Sequence, residues 1–379
     1  MRVLHLVEAM GGGVARHVFD LMPEQLKLGH QIEMLYSDSP ARLDHMAKKG
    51  LPRMAALGVK GHSFPMQREV GYRDLGIALR IAKFVREHGP YDVVHAHSSK
   101  AGAYLRMVNV PGARVYTPNA FITMDPLIGG AKRLVYATVE RLLSWRGELV
   151  IAVSDQERDH ALSIGIPANR IRVVPSGITP VAVATRAQAR AALGLDDSTL
   201  LVGFVARFIS QKAPEMAIEA FCRLTDEERK GARLVMVGYG PLERRTRAVA
   251  AKYPAEKIVW AGDGDGPALM PAFDAYLLTS RYESFGYVLL EAANSGAALI
   301  ATRVGVAENL ITDGKSGLLV PIDDPEAARK ALARVLGDGE FRKSLQTQVA
   351  IECRRFTAEA MAVNTLKVYE EAIALRKGH

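Results

Sequence analysis

Short apolar runs of strand length alternate with segments of helical periodicity along the whole chain. In the first half, the runs that predict strands are residues 3–7, 31–37, 92–97, 115–117, 149–154 and 171–174. In the second half they are residues 200–207, 233–237, 258–260, 276–279, 298–302 and 317–320. Helical periodicity is found over residues 14–28, 75–88, 213–224 and 241–252. Strands that alternate with helices predict parallel, doubly wound sheets, so the pattern indicates an α/β fold in two similar halves.

The chain has 379 residues, and domains of about 100–200 residues are usual, so we expect two domains. Pro175, Gly177, Pro180 and Gly194, with an Ala/Arg-rich stretch, interrupt the alternation. We predict a first domain over residues 1–180, a linker over 181–198 and a second domain over 199–356. Ligands of open α/β sheets bind beyond the carboxyl ends of the strands.

Charge is unevenly distributed between the two halves. Residues 1–180 contain 23 Lys+Arg and 16 Asp+Glu, whereas the remainder contains 26 and 25. A basic first half favours an anionic partner such as a phosphorylated lipid or a membrane surface. Nucleic acid is the rival partner, but the chain shows no long Lys/Arg block and no interleaving of aromatic and basic residues.

The cysteines and the apolar runs bear on location. Cys222 and Cys353 lack metal-ligand spacing, which favours a reducing compartment. The sequence has no apolar run of the roughly 20 residues that would span a bilayer, and residues 1–7 do not resemble a signal peptide. We therefore expect a soluble or peripheral protein in the cytoplasm, with the inner face of the membrane as an alternative location.

Two glutamates flank the start of a predicted helix in the second half. Glu283 follows the apolar run 275–280, and Glu291 lies about two turns into the next helix. The amides of Phe285, Gly286 and Tyr287 would point out of the helix start, where an anion is favoured. Carboxylates on either side could accept hydrogen bonds from the vicinal hydroxyls of a sugar and a ribose. The alternative is a capping glutamate and a partly exposed one.

Two cations follow the first strand of the second half. Arg207 ends that strand and Lys212 lies five residues later, so both reach its carboxyl end. Two cations held at one place can stabilise negative charge on a ligand or on a departing group. Ordinary surface charge is the alternative.

Glycine-rich turns occur in both halves. Gly11, Gly12 and Gly13 follow a strand and open a helix, so their amides could approach a diphosphate or a sugar, or simply form a tight turn. Arg16 replaces the third glycine of a dinucleotide fingerprint. Asp263-Gly264-Asp265 has the form of a cation-binding D-x-D but lies in a glycine-rich loop, where aspartates bond the local backbone. Near Gly238, Tyr239 or Trp260 could stack on a base; a core aromatic is an equal alternative.

Four segments resemble the family 4 retaining glycosyltransferases when they are read in order. They are the glycine loop after residues 3–7, the segment 205–212 with Arg207 and Lys212, the E-x7-E pair of Glu283 and Glu291, and residues 297–321 with Gly305 and Glu308. The resemblance implies the GT-B fold, with two Rossmann-like domains facing each other across a cleft. It also implies that the final helix, within residues 357–379, packs back on the first domain.

The resemblance further implies the role of each donor-side residue. Glu283 would hold the sugar hydroxyls and Glu291 the ribose, with Gly12, Gly13 and Gly238 also near the donor. Arg207, Lys212 and the amides of residues 284–287, from Ser284 to Tyr287, would take the diphosphate, which removes the need for a metal ion or another cofactor. The resemblance also implies that the leaving phosphate assists deprotonation of the acceptor on the same face, which fits the lack of an evident covalent nucleophile in the sequence.

Polar residues at two strand ends of the first half are acceptor-side candidates. His97, Ser98 and Lys100 follow one strand, and Asn119 follows the next. The resembling family frequently has a histidine where Asn119 stands, and an amide cannot exchange a proton. That role is either dispensed with or taken by His97, which we count among the catalytic candidates. His95 and His97 point the same way on a strand, but no third ligand follows at zinc-like spacing.

Residues 121–146 form a basic amphipathic pattern. Lys132, Arg133, Arg141 and Arg146 alternate with Leu134, Val135, Leu142, Leu143 and Trp145. Such a pattern is typical of a membrane-surface helix, and the alternative is a domain-surface helix with solvated arginines.

The resemblance therefore implies an enzyme that transfers a sugar, with retention, from a nucleotide-sugar to a glycan or a polyprenyl-linked lipid. Bacterial surface polysaccharide or glycolipid biosynthesis is the expected setting. Two alternatives remain open. One is a GT-B nucleotide-sugar 2-epimerase, which needs no acceptor, and the other is a non-catalytic nucleotide-binding scaffold.

Overall fold

The computed structural model describes residues 1–39, 43, 45–66, 71, 73–147, 149–179 and 184–378. They form two compact units: unit 1 comprises Met1–Thr179 with Phe356–His379, and unit 2 comprises Pro180–Arg355. The strands are β1 (Arg2–Val7), β2 (Gln31–Ser37), β3 (Lys60–Phe64), β4 (Val93–His97), β5 (Ala113–Thr117), β6 (Leu149–Ala152), β7 (Ile171–Val173), β8 (Leu201–Val205), β9 (Arg233–Val237), β10 (Ile258–Gly262), β11 (Ala275–Leu278), β12 (Ala298–Thr302) and β13 (Leu318–Val320).

The helices cover the faces of the two sheets. They are α1 (Gly12–Lys27), α2 (His45–Ala56), α3 (Arg73–His88), α4 (Ser99–Met107), α5 (Gly130–Leu143), α6 (Asp155–Ser163), α7 (Arg186–Ala192), α8 (Pro214–Cys222), α9 (Asp226–Arg229), α10 (Glu243–Ala250), α11 (Gly266–Leu269), α12 (Tyr287–Asn294), α13 (Ala307–Leu310), α14 (Pro325–Gly337), α15 (Gly339–Cys353) and α16 (Ala358–Lys377).

Each unit has one parallel sheet, which confirms the predicted α/β class of two Rossmann-like domains. The strand order is β3-β2-β1-β4-β5-β6-β7 in unit 1 and β10-β9-β8-β11-β12-β13 in unit 2. In both sheets the order reverses beside the first strand of the unit. The positions between β1 and β4 and between β8 and β11 are therefore the switch points, where ligands of such sheets bind.

The core of unit 1 follows the two-residue alternation of its strands. Val3 and Val7 of β1 pack in one apolar cluster with α1 and α16. Leu4 and Leu6 point to the opposite face and pack with α3 and α4. Because parallel strands are covered on both sides, both sets of side chains are buried, and from Val3 to Val7 the run is apolar apart from His5.

The structure also differs in detail from the sequence pattern. The composition of residues 181–198 predicts a linker, but this segment contains α7, which begins with a capping box between Thr185 and Gln188. The guanidinium of Arg190, on α7, binds the Asp274 carboxylate at 2.8 Å, which fastens α7 to unit 2. Strand β3 has no strand signal in the sequence, because it is a mostly exposed edge strand with polar residues.

Candidate active site

The polar residues of unit 2 that the sequence singles out meet at one edge of its sheet. Arg207 follows β8, Gly238 follows β9, and Glu283 follows β11. Since all the strands are parallel, these carboxyl ends lie at the same edge, and β8 and β11 are neighbours at the switch point. Unit 2 therefore brings Arg207, Lys212 and Glu283 to one place.

An ion pair bridges this switch point. The ammonium group of Lys212 contacts the Glu283 carboxylate, and the Ser280 hydroxyl donates to the same oxygen at 2.6 Å. Glu283 is buried, and the Lys212 side chain is one-fifth exposed. One carboxylate oxygen is thus held by two donors, which fixes the side chain in place. Sequence reasoning did not identify Ser280 as a partner.

The turn that carries Lys212 is clamped to β11. Residues Ser210–Lys212 form a 3₁₀ turn, and Ala213 follows with a left-handed φ of 45°. The Thr279 hydroxyl, at the end of β11, contacts the carbonyl oxygens of Lys212 and Ala213 at 2.9 and 3.0 Å. A left-handed alanine is strained, so the surrounding bonds must hold the turn. Arg207 is exposed just before this turn.

The start of α12 is shaped by two glycines. Gly286 precedes the helix with φ 97° and is buried. Gly305 comes so close that a Cβ there would lie 2.4 Å from the Phe285 carbonyl oxygen. The amide of Val306 donates to that same oxygen at 2.6 Å. These contacts position the first amides of α12, where the helix dipole favours an anion.

Glu291 lies on the second turn of α12 and is partly buried. Burial raises the pKa of Tyr276, and the negative charges of Glu291 and Glu283 raise it further. The Tyr276 hydroxyl donates to the Val205 carbonyl oxygen at 3.0 Å, at the end of β8. Both predicted carboxylates therefore lie close enough to influence one hydroxyl at the switch point.

The loop after β9 packs directly on the loop after β8. Gly238 has φ 135°, and a Cβ there would lie 1.9 Å from the Ala206 carbonyl oxygen. The amide of Phe208 donates to the Tyr239 carbonyl oxygen at 2.8 Å. Gly238 is thus required for close backbone approach. Of the two aromatic candidates, Tyr239 is exposed, whereas Trp260 lies beneath the Arg247 guanidinium at 4.2 Å.

In unit 1, the glycine loop opens α1 as the sequence predicts. Gly12 is exposed with φ 55°, and Gly13 beside it is also exposed. No neighbouring atom lies within 4 Å of a Cβ built at Gly12. The left-handed φ therefore accounts for glycine at this position, and the surface beside it is open.

The acceptor-side candidates of unit 1 lie at the ends of the neighbouring strands β4 and β5. The Ser98 amide and the Asn119 side-chain amide donate to the same Thr117 carbonyl oxygen, at 3.1 and 3.5 Å. Lys100 forms an ion pair with Asp74 at 3.2 Å and is mostly buried. Ser98 and Asn119 have positive φ values of 85° and 52°, and Ala120 follows with 94°. Such strain in non-glycine residues is common at functional sites. The Glu157 carboxylate accepts a hydrogen bond from the Ala120 amide at 2.7 Å and holds this loop.

His97 lies inside a histidine cluster, which we define as His5, His17, His95 and His97. All four side chains are buried, and the strand register pairs His5 directly with His95. Desolvation lowers the pKa of His5 to about 4 and that of His17 to about 3, and it lowers the pKa values of His95 and His97 well below the ordinary value. The cluster is therefore neutral near pH 7.

Hydrogen bonds link the cluster to α1 and α16. Gln25 Nε2 donates to the Tyr369 hydroxyl at 3.3 Å, and this hydroxyl bonds His95 Nδ1 at 2.6 Å. The amide oxygen of Gln25 accepts from His5 Nε2 at 2.8 Å, so His5 Nδ1 accepts from His97 Nε2 at 2.9 Å. His97 Nδ1 has no hydrogen-bond partner among the described residues.

These contacts bear on two predictions for His97. It is fully buried, which argues against direct contact with an acceptor and for a structural role. His5 supplies the third potential metal ligand beside His95 and His97, with ligand atoms within 4.8 Å of one another, in the one such group found in the described part of the chain. However, both ring nitrogens of His5 are already hydrogen-bonded, to His97 and Gln25. Both ring nitrogens of His95 are hydrogen-bonded to Tyr369 and Thr117. The two-residue alternation of side chains along β1 is the sequence pattern that could identify His5 as a member of this group.

Two family models match the chain. Residues 185–350 match the model described as glycosyl transferases group 1, and residues 12–177 match the model described as glycosyl transferase 4-like domain.

Among the helices that the structure describes, none is long and apolar enough to cross a bilayer.

Individual proteins agree with the family models. A D-inositol 3-phosphate glycosyltransferase of Jonesia denitrificans is 30% identical over 75% of this chain and 73% of its own length. An uncharacterized 41.2 kDa protein in the cps region of Klebsiella pneumoniae is 26% identical over 91% of this chain and 96% of its own. Among solved structures, Anabaena HepE in complex with UDP and glucose has a TM-score of 0.81 at 18% identity, covering 98% of this chain and 99% of its own.

Proposed function

The chain belongs to the glycosyl transferases group 1 family, and from that premise we propose that it transfers a sugar from a nucleotide-sugar with retention of configuration. The family membership establishes a glycosyltransferase with two Rossmann-like domains. The donor, the stereochemistry and the residue roles are our proposal. The single observation that carries it is the Lys212–Glu283 ion pair at the switch point of unit 2.

The donor would bind at this switch point with its diphosphate near the start of α12. Arg207 and Lys212 supply positive charge there, and the first amides of α12 supply hydrogen-bond donors. Glu291, on the second turn, is placed to accept from ribose hydroxyls. The relative HepE was solved with UDP and glucose, which supports a nucleoside diphosphate sugar as the ligand class.

Glu283 would orient the transferred sugar through its hydroxyls. Its carboxylate is fixed by Lys212 and Ser280, so little reorganisation is needed when the sugar binds. The bond from the anomeric carbon to the phosphate oxygen breaks, and the acceptor oxygen bonds to the same face. The departing phosphate takes the acceptor's proton, while Lys212 and Arg207 stabilise its charge. This course retains the configuration and needs no covalent nucleophile.

We propose that donor binding is independent of divalent metal. The two cations and the helix amides already provide the positive potential that a diphosphate requires. Asp263 and Asp265 are exposed on the loop after β10 and have backbone roles in this proposal. The acceptor is proposed to be a glycan or a lipid-linked sugar of a surface polysaccharide or glycolipid. The relative in the Klebsiella cps region supports that setting.

A thermal-shift panel tests the donor proposal. UDP-, GDP-, ADP- and CMP-sugars are added to the purified protein with and without EDTA, since a ligand that binds the folded state raises its melting temperature. We expect one nucleotide class to stabilise the protein equally in EDTA. A shift that EDTA abolishes would contradict metal independence and implicate Asp263 and Asp265. The anomeric configuration of the product, read by NMR, tests retention.

A further inference from the structure

One helix of unit 1 turns its apolar side outward. In α5, Glu140 is the single residue that is buried, although a surface helix ordinarily buries its apolar stripe. Leu134 is 69% exposed, and Leu142 and Trp145 are each 64% exposed. We call the exposed apolar set the α5 face; its members are Leu134, Val135, Val139 and Leu142 on the helix, with Leu127 before it and Trp145 in the 3₁₀ turn after it. From Val135 to Trp145 they recur every three to four residues, and Leu134 lies next to Val135, so they form one stripe.

Polar contacts, not apolar packing, hold this helix in place. The Glu140 carboxylate accepts from the Arg106 guanidinium at 2.8 Å and from the Tyr116 hydroxyl at 3.1 Å. Arg106 also lies 4.2 Å over the Tyr116 ring. These three side chains are buried, so a charge pair on the inner side anchors α5. The larger apolar side chains of the helix thus contribute little to the core and remain available for a partner.

The exposed charges of residues 130–146, which carry most of the α5 face, are of one sign. Between residues 130 and 146 the basic side chains are Lys132, Arg133, Arg141 and Arg146, and all four are exposed. Glu140 is the one acidic residue in that range, and it is buried and paired. A two-fold dimer through this face would oppose positive charge to positive charge. An anionic lipid surface instead supplies the complementary charge together with an apolar layer.

We propose that the α5 face docks unit 1 on an anionic bilayer surface. The helix lies in the plane of the interface, with its stripe among the upper acyl chains and its cations among the headgroups. Trp145 sits at the headgroup level, where tryptophan is favoured. The docking proposal has one consequence for the acceptor, which is that a lipid anchors it in the same membrane. That consequence rests on the proposed function.

Vesicle co-sedimentation tests the docking without donor or acceptor. The full chain is mixed with vesicles of phosphatidylcholine alone or of an equal mixture of phosphatidylcholine and phosphatidylglycerol. The variant Leu134→Gln/Leu142→Gln is compared with Leu75→Gln/Leu79→Gln on α3, whose leucines are 52% and 54% exposed. A second variant, Lys132→Gln/Arg146→Gln, removes two of the cations.

We expect binding to the anionic vesicles, a loss of about tenfold in partitioning for each removed leucine of the α5 face, and no loss in the α3 control. Each removed cation should cost about fivefold, and salt should weaken binding. The tryptophan emission should shift to the blue on binding, and Trp145→Phe should abolish that shift. Thermal melting of each variant checks that it folds.

Three results would overturn the proposal. The first is no binding to anionic vesicles, and the second is equal binding to phosphatidylcholine alone. The third is a wild-type dimer that Leu134→Gln/Leu142→Gln converts to a monomer, which would assign the face to a second copy. Failure of the proposed function is seen separately, because nucleotide-sugar binding in unit 2 is measured without vesicles.

Discussion

The two units share a strand order but fill their switch points with different chemistry. In unit 2, a charged pair of Lys212 and Glu283 stands at the carboxyl ends of β8 and β11. In unit 1, the corresponding strands β1 and β4 carry His5, His95 and His97, which are all buried. His5 bonds His97 and Gln25 of α1, and His95 bonds Tyr369 of α16. The residues 180–355 of unit 2 contain no histidine.

The difference separates residues that stabilise the fold from residues that remain available to a ligand. The histidine cluster satisfies most of its hydrogen bonds internally and remains neutral, so it contributes to stability and to the docking of α16. The ion pair of unit 2 keeps a partly exposed ammonium group on the loop after β8, which also carries a second, exposed cation, Arg207. A sheet edge with available charge can bind an anion, whereas a sealed neutral cluster cannot.

Of the substitutions proposed here, Glu283→Gln should lower the rate of sugar transfer most strongly. The amide keeps the size of the side chain but removes the charge that orients the sugar and pairs with Lys212. Loss of one preorganised contact of this kind costs about 10²–10³ in turnover. Sugar transfer by steady-state assay measures the effect. Glu340→Gln, at an exposed glutamate of α15, is the matched control and should be fully active. Unchanged turnover in Glu283→Gln would place the active site elsewhere.

His95→Ala should show the opposite pattern. It leaves the Tyr369 and Thr117 hydroxyls without their imidazole partner and creates a cavity, which together should cost about 3 kcal/mol of unfolding free energy. Urea unfolding measures the loss. Nucleotide affinity in unit 2 should not change at a temperature where the variant is folded. A stable variant with impaired nucleotide binding would contradict the assignment of the cluster to the fold.

Lowering the pH should destabilise unit 1 before unit 2. Unfolded histidines have pKa values near 6.5 and bind more protons than the buried ones, so the unfolding free energy falls as the pH drops below about 6.5. The fall continues towards pH about 4 for His5 and about 3 for His17. Each histidine contributes about 1.4 kcal/mol per pH unit in that window.

Two carboxyls of unit 1 oppose this trend. Burial raises the pKa of Glu157 to about 7, and burial also raises the pKa of Asp20, so both favour the folded state more as the pH falls. The four histidines outnumber these two carboxyls. Hydrogen exchange, corrected for intrinsic rates, should show earlier loss of protection in unit 1 at pH 5 than at pH 7. Equal loss in the two units would argue against the histidines as the cause.

Lys212→Ala should give the smallest of these effects. A hydrogen bond to a charged group contributes about 1.5–3 kcal/mol, so the affinity for a nucleoside diphosphate should fall about tenfold to a hundredfold. Calorimetric titration measures it. The affinity for the nucleoside alone should change little, because Lys212 is proposed to contact phosphate. Lys252→Ala, at an exposed lysine after α10, serves as the control. An equal loss for nucleoside and diphosphate would assign Lys212 to another contact.

Local patterns predict much of the fold because they are encoded within each element. The apolar runs and helical periodicity identify twelve of the strands and the two-sheet class. Strand β3 is not predicted because it is a polar edge strand. Helix α7 has a local signal in its Thr185–Gln188 capping box, but its attachment to unit 2 through the ion pair between Arg190 and Asp274 is long-range. Such long-range pairs leave no local signal.

The sequence predicts the residues of the candidate site where each of them directly follows a predicted strand. Arg207, Lys212 and Glu283 are brought together because β8 and β11 are neighbours, which the sequence order alone does not specify. The partners Ser280 and Thr279 depend on side-chain direction after β11. In unit 1, Lys100 is paired with Asp74, 26 residues earlier on another helix. His97 is bonded to His5 of β1 and lies beside His17 of α1. Those contacts depend on tertiary packing.

The most direct test of the central claim is hydrogen exchange of the whole chain with and without a nucleotide. The nucleotide is whichever of UDP, GDP and ADP raises the melting temperature most, and EDTA is present throughout. We predict that added protection concentrates in unit 2, over residues 207–213 and 283–294. Protection confined to unit 1, at the ends of β1 and β4, or no protection with any of the three nucleotides, would contradict the claim that the switch point of unit 2 binds the donor.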